Sequence, residues 1–90
     1  MSEPHEVRLK RLAMRSMRRG IKEMDLILSR FAETALPGMS DDSLDLYERL
    51  LEENDHDLYQ WVSGQSEAPD VYGPLVQQIA AGADGIVRPA

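Results

Sequence analysis

The sequence contains no cysteine, only two histidines and few aromatic residues. Without cysteine the chain forms no disulfide and has neither a thiolate nucleophile nor a zinc-thiolate site, which is compatible with a reducing compartment. No apolar run approaches the roughly 18 residues that cross a bilayer, so we expect no stable membrane insertion. Residues 1–7 lack a hydrophobic signal core and contain two glutamates, so we expect a cytoplasmic protein rather than a secreted or organelle-targeted one.

The length of the chain allows one domain. Its 90 residues, 42% of them apolar and 29% charged, have an ordinary globular composition. For a mass of 10.2 kDa, surface scaling gives about 5,300 Å² exposed when folded and about 14,800 Å² when unfolded, which allows one modest core. We therefore predict a single helical domain over residues 1–83 and a flexible C-terminal tail over residues 84–90.

Apolar residues recur at helical spacing in five segments, and no segment alternates as a strand does. The predicted fold class is therefore all-α, a small compact bundle of about five short helices. The predicted helices run from Pro4 to near Gly20, from there to Pro37, from Ser40 to about Asn54, from Asp55 to Gly64 and from Pro74 to Gly82. Ser40 and Asp55 are predicted N-caps, and Gly64 is predicted to end its helix in the left-handed conformation.

Large side chains are scarce, with one tryptophan and one phenylalanine in the chain. We therefore predict that Trp61 lies in the core, whereas Tyr59 and Tyr72 are candidates for surface anchors. Three methionines near the first helix junction either fill the core, which is the expected use, or form an adaptable contact surface: Met14, Met17 and Met24.

Charge is distributed unevenly along the chain. Residues 1–30 hold eight Lys or Arg and four Asp or Glu, a balance of +4, whereas residues 31–90 hold two and twelve, a balance of −10. One face of the first predicted helix carries four arginines: Arg8, Arg11, Arg15 and Arg18. This basic face is either solvated or docks on an acidic protein partner. Nucleic acid is a weaker candidate, because the whole chain has a net charge of −6 and no aromatic residue is interleaved among the arginines.

No pattern of catalytic or metal-ligating residues stands out. The chain lacks a glycine-rich phosphate loop, a nucleophile elbow and a Ser/His/Asp set. Residues 55–57, Asp-His-Asp, invite a metal, but an EF-hand loop needs glycine at its sixth position, where Gln60 stands. We therefore interpret residues 55–57 as a solvated capping segment, and we expect no metal site, no catalytic residue and no enzyme activity.

The segment 18–25 allows two interpretations. In the structural one, Gly20 ends one helix and starts the next, Glu23 at the third helical position accepts from free backbone N–H groups, and Arg19 pairs with Glu23. In the functional one, Gly20 leaves bare backbone that another protein can approach closely. Arg19 then supplies a planar fork for a carboxylate or carbonyl, and Glu23 an acceptor. The residues alone leave both interpretations open.

Two stretches, RRGIKEMD at residues 18–25 and MSDDSLDLYERLLEENDHDLYQWV at residues 39–62, carry a family resemblance. They resemble the succinate dehydrogenase assembly factor family, whose members are also called flavinylation factors. The hallmark of that family is an Arg-Gly-x-x-Glu motif, present here as Arg19, Gly20 and Glu23, with Asp25 in its usual place. The resemblance covers about residues 8–76, and the departures are Ile21 within the motif and a C-terminal segment after Ile79 without a transferable motif.

The resemblance implies a chaperone-like assembly factor with no turnover of its own. Members of the family bind the flavoprotein subunit of succinate dehydrogenase, and in bacteria that of fumarate reductase, and promote covalent attachment of FAD to a histidine of that subunit. A bacterial, monomeric member would bind no cofactor stably, because the FAD belongs to the client. The candidate partner-binding residues are then the motif with its support and two arginines of the basic face: Arg19, Gly20, Glu23, Asp25, Arg18 and Arg15.

Two other functions remain compatible with the residues. One is an antitoxin-like or nucleic-acid-associated regulatory module that uses the basic first helix, which steep salt dependence of binding would reveal. The other is a carrier of FAD, although the sequence contains no dinucleotide-binding fingerprint.

Overall fold

The computed structural model describes residues 3–83, and within that range the chain is all-α, as predicted. The helices are α1 (His5–Arg15), α2 (Lys22–Thr34), α3 (Asp41–Leu50), α4 (Asp55–Ser63) and α5 (Gly73–Ala81), with 3₁₀ turns at Leu36–Gly38 and Asp70–Tyr72. Among the described residues no helix has the length and apolar character that crossing a membrane requires. The predicted C-terminal tail, 84–90, lies outside the described residues.

Helix α2 is the centre of the bundle. It packs against α1, α4 and α5, and it does so because its apolar residues repeat at helical spacing along one face. The buried residues of that face are Met24, Ile27, Leu28, Phe31 and Ala32. The ring of Phe31 lies 5.5 Å from that of Tyr47 on α3, measured between centroids, so α3 joins the same core.

Side-chain caps set where α3 and α4 begin. Ser40 accepts a hydrogen bond from the backbone N–H of Ser43 and starts α3, as predicted. The prediction that Asp55 caps α4 is wrong, because Asn54 takes that position and accepts from the N–H of His56 at 2.8 Å. Asp55 is instead the first helical residue, and its carboxylate is free for another partner. Gly64 ends α4 at φ 83°, in the predicted left-handed conformation.

Two helices are shorter than their sequence patterns predict. Helix α1 ends at Arg15, not near Gly20, and the next residue, Ser16, is fully buried. The Ser16 hydroxyl donates to the Leu12 carbonyl at 2.8 Å and lies 2.6 Å from the Tyr47 hydroxyl, which therefore donates to it. Burial raises the pKa of Tyr47 to about 12, so this hydroxyl keeps its proton at neutral pH. The same correction applies to α3, which ends at Leu50 instead of about Asn54.

Aromatic and methionine side chains depart in part from their predicted places. Trp61 is half-buried at the edge of the core, with its ring stacked 6.0 Å from that of Tyr72. Tyr72 is buried, so its assignment as a surface anchor is wrong. Met24 fills the core, but Met14 is 73% exposed and Met17 is 49% exposed, so core filling is the wrong use for these two.

Candidate partner-binding site

The candidate motif lies in and just after the turn between α1 and α2, residues 16–21. The turn starts at the buried Ser16 and reaches α2 at Ile21, which is partly buried. Between them Arg18 has φ 54°, the only positive φ of a non-glycine residue in the part of the chain that the structure describes. Such a conformation is uncommon for a residue with a side chain and persists where the surrounding contacts impose it.

Asp55 supplies those contacts at the far end of the turn. Its Oδ1 accepts a hydrogen bond from Nε of Arg19 at 2.8 Å, and its Oδ2 accepts from the backbone N–H of Gly20 at 2.7 Å. The rest of the Arg19 guanidinium donates to two carbonyls, that of Leu51 at 3.0 Å and that of Arg15 at 3.1 Å. We call the contacts of Asp55 with Arg19 and Gly20 the Asp55 clasp.

Gly20 leaves space for the Asp55 carboxylate in the clasp. A Cβ built on it would lie 3.1 Å from Oδ2 of Asp55, tighter than nearly all such contacts in proteins. Its φ lies outside the left-handed region, so conformational freedom is not the reason for glycine here. A side chain at this position would therefore make the Asp55 carboxylate shift by a few tenths of an ångström and would disturb its bond with the Gly20 N–H.

Some of the predicted site residues are bonded within the fold, and others are exposed. Arg19 has a side chain only 12% exposed and bonded within the fold, and it pairs with Asp55 instead of Glu23. Glu23 is exposed at the second position of α2, not the third, and makes no hydrogen bond to another described residue. Asp25 is half-buried and accepts from the Ser29 hydroxyl at 3.1 Å. Arg18 is exposed, and so are two other residues of the turn, Met17 and Gly20.

The basic face of α1 is paired with acidic residues within the molecule. Arg8, Arg11 and Arg15 bond to carboxylates on α3 and just beyond it, and Arg11 also bonds to Glu3 at 2.9 Å. We call these three arginines and their partners on and beyond α3 the arginine ladder. The carboxylates of the ladder are Asp45, Glu48 and Glu52. The charge separation along the sequence is thus largely neutralised inside the fold. A nucleic-acid-binding module that relies on these arginines loses its main support.

Neutralising Glu48 should weaken the bundle in a salt- and pH-dependent way. The hydrogen bond that Arg11 donates to Glu48 at 2.8 Å lowers the pKa of Glu48 below its ordinary value. The contribution of the charged Glu48 to stability is therefore complete above the ordinary pKa of a glutamate and is lost as pH falls through the lowered pKa. We expect Glu48→Gln to cost about 0.5–1 kcal/mol in low salt at neutral pH, and less in high salt or acid.

Urea unfolding followed by circular dichroism measures this effect. Glu33→Gln is the matched control, because Glu33 is an exposed carboxylate on α2 outside the ladder. An equal loss of unfolding free energy in both variants would contradict the ion-pair explanation. So would a loss for Glu48→Gln that does not change with salt concentration.

The role of Asp55 in the turn is not among the sequence predictions, which assign this residue to the cap of α4. The preceding residue, Asn54, is an equally good capping type. Two capping residues in succession leave one side chain free, and that was the available signal.

Over the described residues no group of three or more His, Cys, Asp or Glu is arranged to hold a metal ion.

Comparisons with known proteins identify the family. Residues 10–83 match the model of a family described as the flavinator of succinate dehydrogenase. A mitochondrial succinate dehydrogenase assembly factor 2 of Meyerozyma guilliermondii is 48% identical over 61 residues, which are 68% of this chain and 45% of that protein. The Debaryomyces hansenii protein of the same name is also 48% identical over 61 residues, 68% of this chain and 43% of that one.

A third relative extends the match along the chain. Assembly factor 2-A of Drosophila willistoni, also mitochondrial by name, is 34% identical over 80 residues, 87% of this chain and 51% of that protein. The chain thus spans about half the length, or less, of these curated relatives. With the family model covering most of the described residues, the chain belongs to the family of succinate dehydrogenase flavinators.

Proposed function

We propose that this chain is an assembly factor that binds the flavoprotein subunit of succinate dehydrogenase and promotes the covalent attachment of FAD to it. Family membership supports the class of function. The observation that carries the proposal is the built turn at Gly20, where the Asp55 clasp fixes the backbone while Met17 and Arg18 stay exposed. A turn that is held this firmly and still faces solvent is suited to docking, because little freedom is lost when a partner binds.

The contribution of this chain is to position its client. Docked through the turn and the exposed carboxylate of Glu23, it holds the client so that the acceptor histidine and the flavin 8α-methyl group are aligned. Orientation of that kind lowers barriers by about 7–11 kcal/mol in well-aligned cases. The histidine and the flavin of the client supply the bond-forming chemistry. The chain therefore acts without turnover of its own and without a cofactor held stably.

The assembly state, the compartment and the range of clients follow from the same proposed function. We propose that the chain acts as a monomer in the bacterial cytoplasm, where the flavoprotein subunit matures, and that the fumarate reductase flavoprotein is a second client. Among the proposed contact residues, the carboxylate of Glu23 and the cation of Arg18 project from exposed positions. A client surface with both an acidic and a basic group beside an apolar patch would match them.

In-gel flavin fluorescence tests the function directly. Denaturation removes noncovalent FAD, so the band of the flavoprotein subunit reports only the covalent bond. We expect cells that lack this chain to lose that fluorescence and cells complemented with it to regain it. Fluorescence that is unchanged by the deletion, for both flavoproteins, would contradict the proposal.

A further inference from the structure

Asp55 lies 36 residues away from Arg19 along the chain, outside the Arg-Gly-x-x-Glu motif, and yet it holds the motif in place. We propose that Asp55 is a positioning residue for partner binding, whose carboxylate fixes the turn between α1 and α2 in the conformation that docks on the flavoprotein subunit. The proposal rests on the proposed function and adds to it the residue on which the shape of the docking turn depends.

The hydrogen bonds of Asp55 argue that this is its main role. One oxygen takes Nε of Arg19 and the other takes the N–H of Gly20, so both oxygens serve the turn. Capping of α4 does not need this carboxylate, because Asn54 does that. A second carboxylate, that of Asp57, is also present in the first turn of α4 to interact with the helix dipole.

The turn needs a hold at this end because its backbone is strained. Arg18 has φ 54°, a conformation that relaxes unless both flanks are fixed. The first flank is fixed by the buried Ser16 and its contact with Tyr47. The second flank is fixed by the Asp55 clasp. Loss of the clasp would therefore free the exposed residues of the turn without removing any side chain from the hydrophobic core.

Asp55 acts through the turn and not as a contact of its own. Its side chain is only 18% exposed, covered in part by its bonds to Arg19 and Gly20. A carboxylate that receives two donors also cannot be replaced by an amide of the same size, because the amide NH₂ group would face one of those donors. Asp55→Asn thus breaks half of the clasp with almost no change in volume.

The experiment compares Asp55→Asn with Asp57→Asn, the same substitution at an exposed position of the same helical turn. Binding of the purified flavoprotein subunit is titrated for each variant, and the Gly20 amide is followed by ¹⁵N NMR and hydrogen exchange in the free protein. We expect Asp55→Asn to weaken binding by about tenfold or more and to shift and deprotect the Gly20 amide. Asp57→Asn should leave both unchanged.

Gly20→Ala provides a second variant if Asp55→Asn does not fold. It keeps the carboxylate but places a Cβ 3.1 Å from Oδ2, whereas a Cβ at Gly38, the control position, meets nothing within 4 Å. We expect Gly20→Ala to weaken binding and Gly38→Ala to leave it unchanged. Adding Gly20→Ala to Asp55→Asn should weaken binding little further, because both changes act on the same clasp and coupled residues show non-additive effects.

The outcomes separate the two proposals. Wild-type affinity in Asp55→Asn despite an altered Gly20 amide would overturn the positioning role, and so would equal losses in the Asp55 and Asp57 variants. If the wild-type chain itself fails to bind the flavoprotein subunit, the proposed function fails and the positioning role falls with it. The Gly20 amide would still report whether the clasp forms in solution.

Discussion

Replacing Gly20 with arginine should lower the covalent flavin of the client to the level found in cells without this chain. A Cβ at Gly20 would lie 3.1 Å from Oδ2 of Asp55, so a larger side chain must push that carboxylate away. The arginine would also cover the backbone that we propose meets the flavoprotein subunit. In-gel flavin fluorescence of the denatured subunit measures the loss.

Gly38→Arg is the matched control for this prediction. A Cβ at Gly38 meets nothing within 4 Å, so the same substitution is accommodated there and should preserve fluorescence. Circular dichroism should show the Gly20→Arg variant folded, because Gly20 lies outside the hydrophobic core. An unfolded Gly20→Arg, or an equal loss of fluorescence with Gly38→Arg, would argue against a specific contact at the turn.

Truncation of Leu28 should destabilise the bundle more than any surface change discussed above. Leu28 is fully buried on α2, the helix that packs against α1, α4 and α5. Removing a side chain from such a site costs about 2–5 kcal/mol through lost burial and the cavity left behind. For a domain of this size the melting temperature should fall by about 8 °C or more.

Leu26 offers a control on the same helix. Its side chain is 52% exposed, so Leu26→Ala makes the identical chemical change outside the core and should cost little. Thermal and urea unfolding of the two variants, followed by circular dichroism, measure the difference. Similar melting temperatures for Leu26→Ala and Leu28→Ala would mean that α2 does not face the core as described.

Local signals in the sequence were sufficient for much of the fold. The apolar spacing of α2 and the Pro37-Gly38 pair after it predicted that helix, whose observed range is Lys22–Thr34. Ser40 predicted the start of α3, and Gly64 the end of α4. These features depend on neighbours within one or two helical turns, where capping and periodicity act.

The errors arise where distant residues decide the structure. Periodicity extended α1 to Met17, but the bond between Ser16 and Tyr47, 31 residues apart, accompanies its end at Arg15. The arginines of α1 resembled a free basic face because their acidic partners lie 37 residues away. Asp55 resembled a cap for the same reason, since nothing local connects it with Gly20. Which tertiary partner a charged side chain selects is not encoded in the spacing of its own helix.

The arginine ladder also determines how α1 lies along α3. Its three principal pairs join residues separated by the same number of positions, 37: Arg8 with Asp45, Arg11 with Glu48 and Arg15 with Glu52. A constant separation requires the two segments to point in the same direction in a single register. Sliding α1 by one turn, about 5.4 Å, would leave one arginine and one carboxylate at the two ends of the ladder without partners.

Because α1 ends at the last of these arginines, the register also sets the position along α3 at which the chain leaves α1. The turn of residues 16–21 must connect that position to the start of α2. One residue more or fewer in it would leave the ladder intact and carry Gly20 past Asp55. The number of residues between Arg15 and Gly20 is thus as constrained as their identity.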